Sequence, residues 1–512
     1  MKKDKIKFYI ILAVEVLTVV LTSVGILPRE AVLVMTGLLI FYFIFSKIED
    51  SLILFIISIP FFAALPISEQ FDSMANWRIL LAILFLIFFF KKYFYKAFKS
   101  IPFKSIPINI KNIRKSSLGL LVALFLIIGV LSLFVAADLI VGIKKLLFLI
   151  NIFLLFVIVR DIGKDKTERL RIIKAGAVAG VGSLLIAYSQ LISVFFAPLH
   201  NFWQWWTNNV ISVFYGINLS KLLAVSNTWF SYYPDNPPTL RMFSVFPDSH
   251  SFALFTIISL IFFSYLLIKK SSKIFWIPIV LSFLALVFSG SRSIWVSAII
   301  PFGIVVILFI YSFFKNKKYS NLINLNSRLI FTFISFLLVF IVAFPISSLI
   351  MSQSYQGDGE NALLAFRRAK SVIDLDELSV KSRIGIWETS FKSVLKHPLL
   401  GVGIGNYPIV LNEDISAAKK GASAHNLYLD IASEMGLLGL LALLLIFWQI
   451  FKKSWKSNFI FTFFAIWIFA YSFFDVVLLN DKVLLLFMVI LGILYSQACF
   501  STVFDSIIAK ER

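Results

Sequence analysis

Three arginines and one histidine of this sequence could together bind and activate an anionic substrate. Arg241, Arg292, Arg383 and His425 lie on the side of the predicted membrane spans that is otherwise poor in positive charge. A guanidinium group stays charged and binds phosphate oxygens through two parallel hydrogen bonds. The arginines therefore predict a site for an anionic head group such as a lipid diphosphate. Taken singly, Arg241 and Arg292 could equally be interfacial anchors, and Arg383 part of a solvated helix face.

His425 begins a segment, His-Asn-Leu-Tyr-Leu-Asp-Ile-Ala-Ser-Glu-Met-Gly, in which ionisable residues enter an apolar run. An imidazole at the start of a helix titrates near neutral pH and can act as a general base. Asp430 and Glu434 lie one helical turn apart within the run, where ionisable groups indicate a function by default. The alternative for both carboxylates is hydrogen bonding between neighbouring helices.

Two other site chemistries have weaker support in the sequence. The four histidines are His200, His250, His397 and His425. No two of them have the spacing of ligands on one helix face, so we predict no metal site, and we predict no cofactor. The run Gly401-Val-Gly-Ile-Gly405 superficially resembles a nucleotide loop, but no parallel-sheet pattern surrounds it. We interpret it as a turn that closes against the bilayer or the diphosphate.

Membrane-spanning helices are the elements predicted to position these residues. Of the 512 residues, 60% are apolar and 15% are charged, whereas a soluble domain has about 25% charged residues. We therefore predict an all-α polytopic integral membrane protein and exclude a soluble enzyme. About 14 transmembrane helices are expected, or 12 if the short spans 31–46 and 51–66 do not both cross. The predicted spans are 8–27, 31–46, 51–66, 78–95, 118–137, 141–160, 172–197, 249–268, 274–290, 293–314, 329–351, 426–451, 458–476 and 482–500.

The net charge of +21 is distributed unevenly along the chain. With a cytoplasmic N-terminus, the segments on the inner side hold 31 of the 48 Lys and Arg and 8 of the 27 Asp and Glu, a net charge of +23. All other residues sum to −2. This is the positive-inside pattern of a membrane protein with both termini in the cytoplasm. The bilayer is therefore a predicted partner, and nucleic acid is not.

The spans and two long outer segments divide the chain into five parts. The parts are 1–197 with N-terminal helices, 198–248 as an aromatic extracytoplasmic loop, 249–351 with central helices, 352–425 as a large extracytoplasmic loop, and 426–512 with C-terminal helices. In Ser379–His397 the apolar residues Ile384, Trp387, Phe391 and Leu395 recur at helical spacing. This pattern predicts an amphipathic helix on the outer leaflet.

Two details of the apolar spans carry further expectations. Lys144 and Lys145 fall in the outer half of the span 141–160, so their ammonium groups are expected to snorkel or to face a polar cavity. Cys499 is the single cysteine, which excludes an intramolecular disulfide.

Four motifs in order along 240–445 resemble those of the O-antigen ligase and polymerase superfamily. They are Leu-Arg241-Met-Phe-Ser-Val-Phe-Pro, then Ser-Gly-Ser-Arg292-Ser, then Ser-Arg383-Ile-Gly-Ile-Trp387 with Pro398-Leu-Leu-Gly-Val-Gly-Ile-Gly405, and Ala-His425-Asn426 with Glu434-Met-Gly-Leu-Leu-Gly. The sequence departs from the family pattern at Pro247-Asp248-Ser249-His250, where an asparagine is expected after the proline. The resemblance therefore assigns no role to Asp248 or His250.

The resemblance implies a metal-independent, inverting glycosyltransferase of the bacterial cytoplasmic membrane. Its donor would be an undecaprenyl-diphosphate-linked glycan, and its acceptor another glycan or a lipid A core, at the outer membrane face. Arg292 and Arg383 would bind the diphosphate, with Arg241 beside them, and His425 would be the essential loop histidine. Asn426 and Glu434, from the same motif as His425, would be substrate-binding residues.

A flippase for lipid-linked glycans, or another secondary transporter, is the alternative from a different functional class. It would share the helices and the basic loops. It would also predict coupling charges near mid-membrane and access from both sides, whereas the arginines here gather at one face.

Overall fold

The structure of the chain is a computed structural model. It describes residues 2–68, 71–94, 117–226, 228–233, 236–270, 272–314, 327–352, 378–411, 423–457 and 459–496. Cys499 and much of the predicted outer loop 352–425 lie outside the described residues.

Helices form most of the described chain. In the first half they are α1 Lys2–Ser23, α2 Ala31–Phe45, α3 Ile48–Ile57, α4 Trp77–Phe89, α5 Ser117–Ser132, α6 Leu139–Ile162, α7 Lys166–Ser193, α8 Leu199–Trp205, α9 Ser212–Tyr215 and α10 Ile217–Ala224. In the second half they are α11 Ser249–Lys270, α12 Trp276–Phe288, α13 Arg292–Phe314, α14 Ser327–Ser352, α15 Leu378–Lys396, α16 Leu427–Ser457, α17 Phe459–Tyr471 and α18 Asp481–Tyr495. Shorter 3₁₀ or π segments are Ile59–Phe61, Phe90–Phe94, Leu133–Val135, Trp206–Ile211, Lys273–Phe275, Tyr407–Leu411 and Val477–Leu479.

The expectation of a helical polytopic membrane protein is confirmed. Each predicted span overlaps a helix, but the span 51–66 is helical only to Ile57, continues as a 3₁₀ turn and ends in the strand Ala64–Leu65. Within the described residues, seven helices are long and apolar enough to cross a membrane, and four shorter apolar helices accompany them. The α3 segment ends at Ile57 and continues as a 3₁₀ turn, because Pro60 lacks the N–H group that a continuing helix requires. The number of helices that cross remains a prediction.

Two antiparallel hairpins interrupt the helices, and the sequence had not predicted them. Strands β1 Ala64–Leu65 and β2 Met74–Ala75 pair between α3 and α4. Strands β3 Phe230–Tyr233 and β4 Asn236–Leu240 pair in the aromatic loop, with Phe230 opposite Leu240. The second hairpin delivers the chain to residues 241–248, directly ahead of α11.

The α11 helix is the centre of the packing. It is almost completely buried and contacts α7, α12, α17 and α18. Around it, α6 packs on α18, and α5 packs on α16. Burial of apolar side chains alone does not hold helices together in lipid, so close packing and interhelical polar contacts carry much of the stability. The first residue of α11, Ser249, lies at the end of the bundle where the candidate site is found.

A glycine-lined contact breaks α16 near its beginning. Gly436 has a φ of 67°, and a Cβ there would lie 2.2 Å from the carbonyl oxygen of Leu399. The turn around Gly401 and Gly403 runs against this break, with the N–H of Gly403 donating to the carbonyl of Glu434 over 3.0 Å. The glycine-rich turn therefore closes on the protein itself, and our interpretation of it as a turn against the bilayer or diphosphate was wrong.

The amphipathic segment of the outer loop forms the helix α15, as expected. The side chains of Ile384, Phe391 and Leu395 are 50%, 56% and 65% exposed, and they form one apolar stripe. The adjacent face carries Arg383 and the buried Ser390 toward the protein. This orientation fits a helix that rests on a bilayer, although its place on the outer leaflet remains a prediction.

Candidate functional site

The α15 helix connects the arginine cluster to the histidine loop. One turn apart on its inner face, Arg383 and Trp387 point to two different segments. The Arg383 Nη1 donates to Ser293 Oγ over 3.2 Å, at the start of α13. The Trp387 indole N–H donates to the backbone carbonyl of Ala424 over 3.0 Å. One helix therefore holds a guanidinium group and the residue that precedes His425.

His425 occupies a strained turn that is fixed on both sides. Its φ is 46°, a left-handed conformation that is uncommon outside glycine. The N–H of Ala424 donates to the Asp430 carboxylate over 3.1 Å. The N–H of Leu427 donates to the Ser472 carbonyl over 2.8 Å, which connects the loop to the end of α17. Such strain persists only where the surrounding contacts determine it, and it is concentrated at functional sites.

The imidazole of His425 lies in an environment suited to a base. Burial lowers the pKa of His425, the nearby positive charge of Arg383 lowers it further, and Asp248 opposes both effects. Its Nδ1 atom is buried and has no hydrogen-bond partner among the described residues. A lowered pKa keeps the ring neutral at physiological pH, so a ring nitrogen is able to accept a proton.

A second polar group adjoins this loop, centred on His250 near the start of α11. The His250 Nδ1 lies 2.9 Å from Ser291 Oγ and 3.2 Å from the Tyr471 hydroxyl. The same nitrogen is 3.7 Å from the Asp475 carboxylate, in the segment after α17. These contacts bring together α11, the turn between α12 and α13, and the end of α17.

The carboxylates of the buried Asp475 and the half-buried Asp248 give this group unusual electrostatics. Burial raises the pKa of Asp475 to about 6, although the positive charge of Arg383 opposes the rise. Burial also raises the pKa of Asp248 to about 6, and the negative charge of Asp475 adds to the rise. The Asp248 carboxylate accepts hydrogen bonds from the N–H and the hydroxyl of Ser251, 2.7 and 2.8 Å away, at the start of α11.

Sequence reasoning missed Asp475 and gave no role to Asp248 or His250. The signal for Asp475 was present, since it lies at the outer end of the predicted span 458–476, the same criterion that selected the arginines. His250 had been considered only as a metal ligand. Their proximity depends on the packing of α17 against α11, which local sequence patterns do not specify.

The other two predicted arginines border the same region. Arg241 donates from Nε to Ser231 Oγ over 3.2 Å, which ties it to the second hairpin. The next residue, Met242, donates its N–H to the carbonyl of Phe288 over 3.0 Å, at the end of α12. Arg292 is the first residue of α13, between Ser291 and Ser293. The residues on either side of Arg292 are thus the partners of His250 and Arg383.

Asn426 has a local structural contact. Its side-chain carbonyl accepts hydrogen bonds from the N–H groups of Tyr428 and Leu429, at 3.0 and 3.1 Å. This is an N-cap, which satisfies donors that the first helical turn leaves unpaired. Its role as a substrate-binding residue stays a prediction.

Glu434 faces a cation of the protein. Its carboxylate lies 2.6 Å from the Nζ of Lys145, which also lies 3.9 Å from the Asp430 carboxylate. Lys145 thus contacts buried carboxylates of α16, in agreement with the expectation of a polar environment. Substrate binding by Glu434 stays a prediction.

No group of three or more His, Cys, Asp or Glu side chains suited to a metal ion occurs within the residues that the structure describes. The polar atoms brought together there are guanidinium, imidazole, carboxylate and hydroxyl groups.

Comparison with known proteins supports the resemblance found in the sequence. Residues 277–444 match the family model described as O-Antigen ligase. The match includes Arg292, Arg383 and His425, while Arg241 and Asp475 lie outside it. An uncharacterized protein of Haemophilus influenzae is 24% identical over 202 residues, which cover 38% of this chain and 47% of that protein. The chain thus aligns with about half the length of this relative.

Proposed function

We propose, on the premise that this chain belongs to the O-antigen ligase and polymerase superfamily, that it transfers a glycan to an acceptor sugar hydroxyl. The donor is a glycan linked to undecaprenyl diphosphate, and the reaction inverts the anomeric centre. The observation that carries this proposal is the double contact of α15. Through Arg383 and Trp387, it holds a guanidinium group beside the loop of a half-buried imidazole whose pKa is lowered.

The proposed chemistry divides between the arginines and His425. The acceptor oxygen forms a bond to the anomeric carbon as the bond from that carbon to the diphosphate oxygen breaks. His425 takes the proton of the acceptor hydroxyl, a role typically worth about 10²- to 10⁴-fold in rate. Arg383 and Arg292, with Arg241 beside them, stabilise the negative charge that accumulates on the leaving diphosphate. Burial and the positive charge of Arg383 both favour the neutral form of His425.

The proposed location is the outer face of the bacterial cytoplasmic membrane, with both termini in the cytoplasm. The support is the charge difference of +23 against −2 between the two sides.

Cysteine labelling tests this orientation. Ser226 lies before the second hairpin, in the loop 198–248 that we expect on the extracytoplasmic side. Ala417, a possible labelling position in the loop 352–425, is not among the described residues. A Ser226→Cys variant in a Cys499→Ser background should react with an impermeant maleimide from outside the cell. Reaction only from the cytoplasmic side would reverse the orientation of the site.

The acceptor is a second lipid-linked glycan for a polymerase and a lipid A core for a ligase; a protein acceptor would define a third variant. In all three cases the acceptor is a hydroxyl group that His425 deprotonates. The lipid-linked donor and the arginines that bind its diphosphate are therefore the same for each.

A direct test is glycan transfer from purified lipid-linked donor by the purified protein, in excess EDTA and without ATP. We expect product to form, because guanidinium groups can supply the leaving-group stabilisation that soluble enzymes often obtain from a divalent ion. A requirement for an added divalent ion would contradict metal independence. Failure with every acceptor class, for a folded protein that binds the donor, would contradict the proposed transfer.

A secondary transporter of lipid-linked glycans is the second candidate. One observation favours it: Lys145, Asp430 and Glu434 bring charges together between apolar helices, as coupling sites do. A flippase would move fluorescent lipid-linked glycan across proteoliposome membranes without forming a new glycosidic bond. The glycosyltransferase instead forms that bond with donor supplied on the outer face alone.

A further inference from the structure

A half-buried lysine from outside the segment matched by the family model contacts the helix that follows His425. Lys145 belongs to α6, more than a hundred residues before 277–444. Its Nζ lies 2.6 Å from the Glu434 carboxylate and 3.9 Å from that of Asp430. Both carboxylates belong to α16 and are buried. The N-terminal half of the chain thus contributes a charge to the helix that follows His425.

Asp430 contacts both Lys145 and the loop that contains His425. While one carboxylate oxygen faces Lys145, the other accepts the N–H of Ala424 over 3.1 Å. Ala424 is fully buried, and its carbonyl accepts the indole N–H of Trp387. The peptide groups on either side of Ala424 are therefore held by α16 and α15, and the next residue is His425.

The second carboxylate anchors the broken turn of α16. The Glu434 side chain binds Lys145, while its backbone carbonyl accepts the N–H of Gly403 over 3.0 Å. Two carboxylates one turn apart and away from water repel each other, and the ammonium group of Lys145 offsets this repulsion. Without Lys145 the two side chains lose their shared partner. Their contacts with the loop and the broken turn are then less firmly held.

We propose that Lys145 is a positioning residue for His425, acting through Asp430 and the Ala424 peptide. The inference rests on the proposed function for its kinetic consequence, but the placement of the loop does not. Loss of Lys145 loosens residues 423–426, so His425 spends less time where it can reach the acceptor hydroxyl. A displacement of about 1 Å at a reacting group can cost 10²-fold in rate.

The kinetic test compares Lys145→Met with two matched variants in the purified full-length protein. Lys145→Met should lower kcat at least about tenfold while the donor KM changes less than about threefold, because the ion pairs of Lys145 are with carboxylates of α16. Lys145→Arg keeps the charge and should retain most of the activity. Lys144→Met removes the neighbouring exposed lysine and should behave as the unmodified protein.

A buried pair of carboxylates without a cation can destabilise the fold. Lys145→Met with Glu434→Gln removes one of the two carboxylate charges and should regain thermal stability. We expect its kcat to stay low, and the acid limb of its pH profile to move to higher pH as His425 becomes more hydrated. Normal kcat in this folded double variant would overturn the proposal. So would a rate loss that follows the unfolded fraction with no change in the pH profile.

A second measurement does not depend on transfer activity. In a Cys499→Ser background, Ala424→Cys places the only thiol at a fully buried position of the loop. Adding Lys145→Met should raise the rate of maleimide labelling about tenfold, whereas adding Lys144→Met should not. Equal labelling in both would overturn the positioning role. Faster labelling in the Lys145→Met variant, combined with no transfer activity in the protein without substitutions, would refute the proposed function. It would still support the role of Lys145 in positioning the loop.

Discussion

Trp387 and Ala424 are joined by a hydrogen bond of 3.0 Å from the indole N–H to the backbone carbonyl. Trp387 lies one turn after Arg383 on α15, and Ala424 immediately precedes His425. This contact therefore helps to set the distance between Arg383, which we propose binds the diphosphate, and His425, the proposed base. Its partners are 37 positions apart in the sequence, and the segment between them includes 412–422, which lies outside the described residues.

Replacing Trp387 by Phe removes this donor and keeps most of the ring. A typical hydrogen bond contributes about 1 kcal/mol, so we expect a modest loss of stability and a fall in kcat of up to about tenfold. Thermal unfolding and steady-state transfer would measure both effects. Trp448→Phe, at a position 60% exposed on α16, is the matched control. Equal kcat in the two variants would show that the contact does not position the base.

Arg383→Lys keeps the charge but removes the planar fork that binds phosphate through two hydrogen bonds. We expect kcat/KM for the lipid-linked donor to fall about 10²-fold, the scale of losing one donor to a developing oxyanion. Arg292→Lys should act in the same way. Lys392→Ala on the exposed face of α15 breaks only the surface pair with Glu388 and should change little. Donor binding by calorimetry that matches the unmodified protein would exclude Arg383 as a diphosphate ligand.

His425→Ala separates chemistry from binding. A base acts on the acceptor proton in the transition state, so single-turnover transfer should fall at least about 10²-fold while donor affinity stays nearly unchanged. The alternative is that His425 only orders the loop before α16. In that case donor affinity and thermal stability would fall together, and the folded fraction would keep its turnover. His397→Ala, at an exposed position after α15, controls for loss of an outer histidine.

The helical part of the fold could be predicted because the bilayer leaves a long apolar run few alternatives to a helix. The two hairpins could not, since the strands 64–65 and 74–75 are only two residues long and depend on the surrounding helices for pairing. The glycine run at 401–405 was interpreted as facing lipid or ligand. Its partner is the break at Gly436, and the sequence gives no indication of that long-range contact.

Some residues of the candidate site could also be predicted from the sequence, and others could not. Arg383 and His425 could be selected because they are positively charged or titratable residues on the side that the overall bias of positive charge does not favour, since 31 of the 48 Lys and Arg lie in the inner segments. Asp475 and His250 required knowledge of which helices are neighbours, since 225 positions separate them in the sequence. The pairing of Lys145 with Glu434 illustrates the opposite case. Each was recognised as unusual in an apolar span, yet only the packing of α6 near α16 shows that they neutralise each other.

The pH dependence of transfer should report His425 directly. The base is active when neutral, so kcat/KM falls as the pH drops through the pKa of His425 in the free enzyme. Burial and Arg383 lower that pKa, so the acid limb should lie below the ordinary histidine value of about 6.5. Asp475 and Asp248, each with a pKa of about 6, titrate in the same range. An acid limb that persists both in Asp475→Asn and in Asp248→Asn would be assigned to His425.

Two substitutions that should shift the pKa of His425 in opposite directions complete this assignment. Arg383→Met removes a positive neighbour, which should raise the pKa of His425 and move the acid limb to higher pH. Asp248→Asn removes the negative charge that raises the pKa of His425, so the limb should move to lower pH. Both variants lose absolute rate, so the profiles are compared after normalisation to their own plateaus, in the Asp475→Asn background. Shifts in the same direction, or none, would mean that another group titrates and that His425 is not the base.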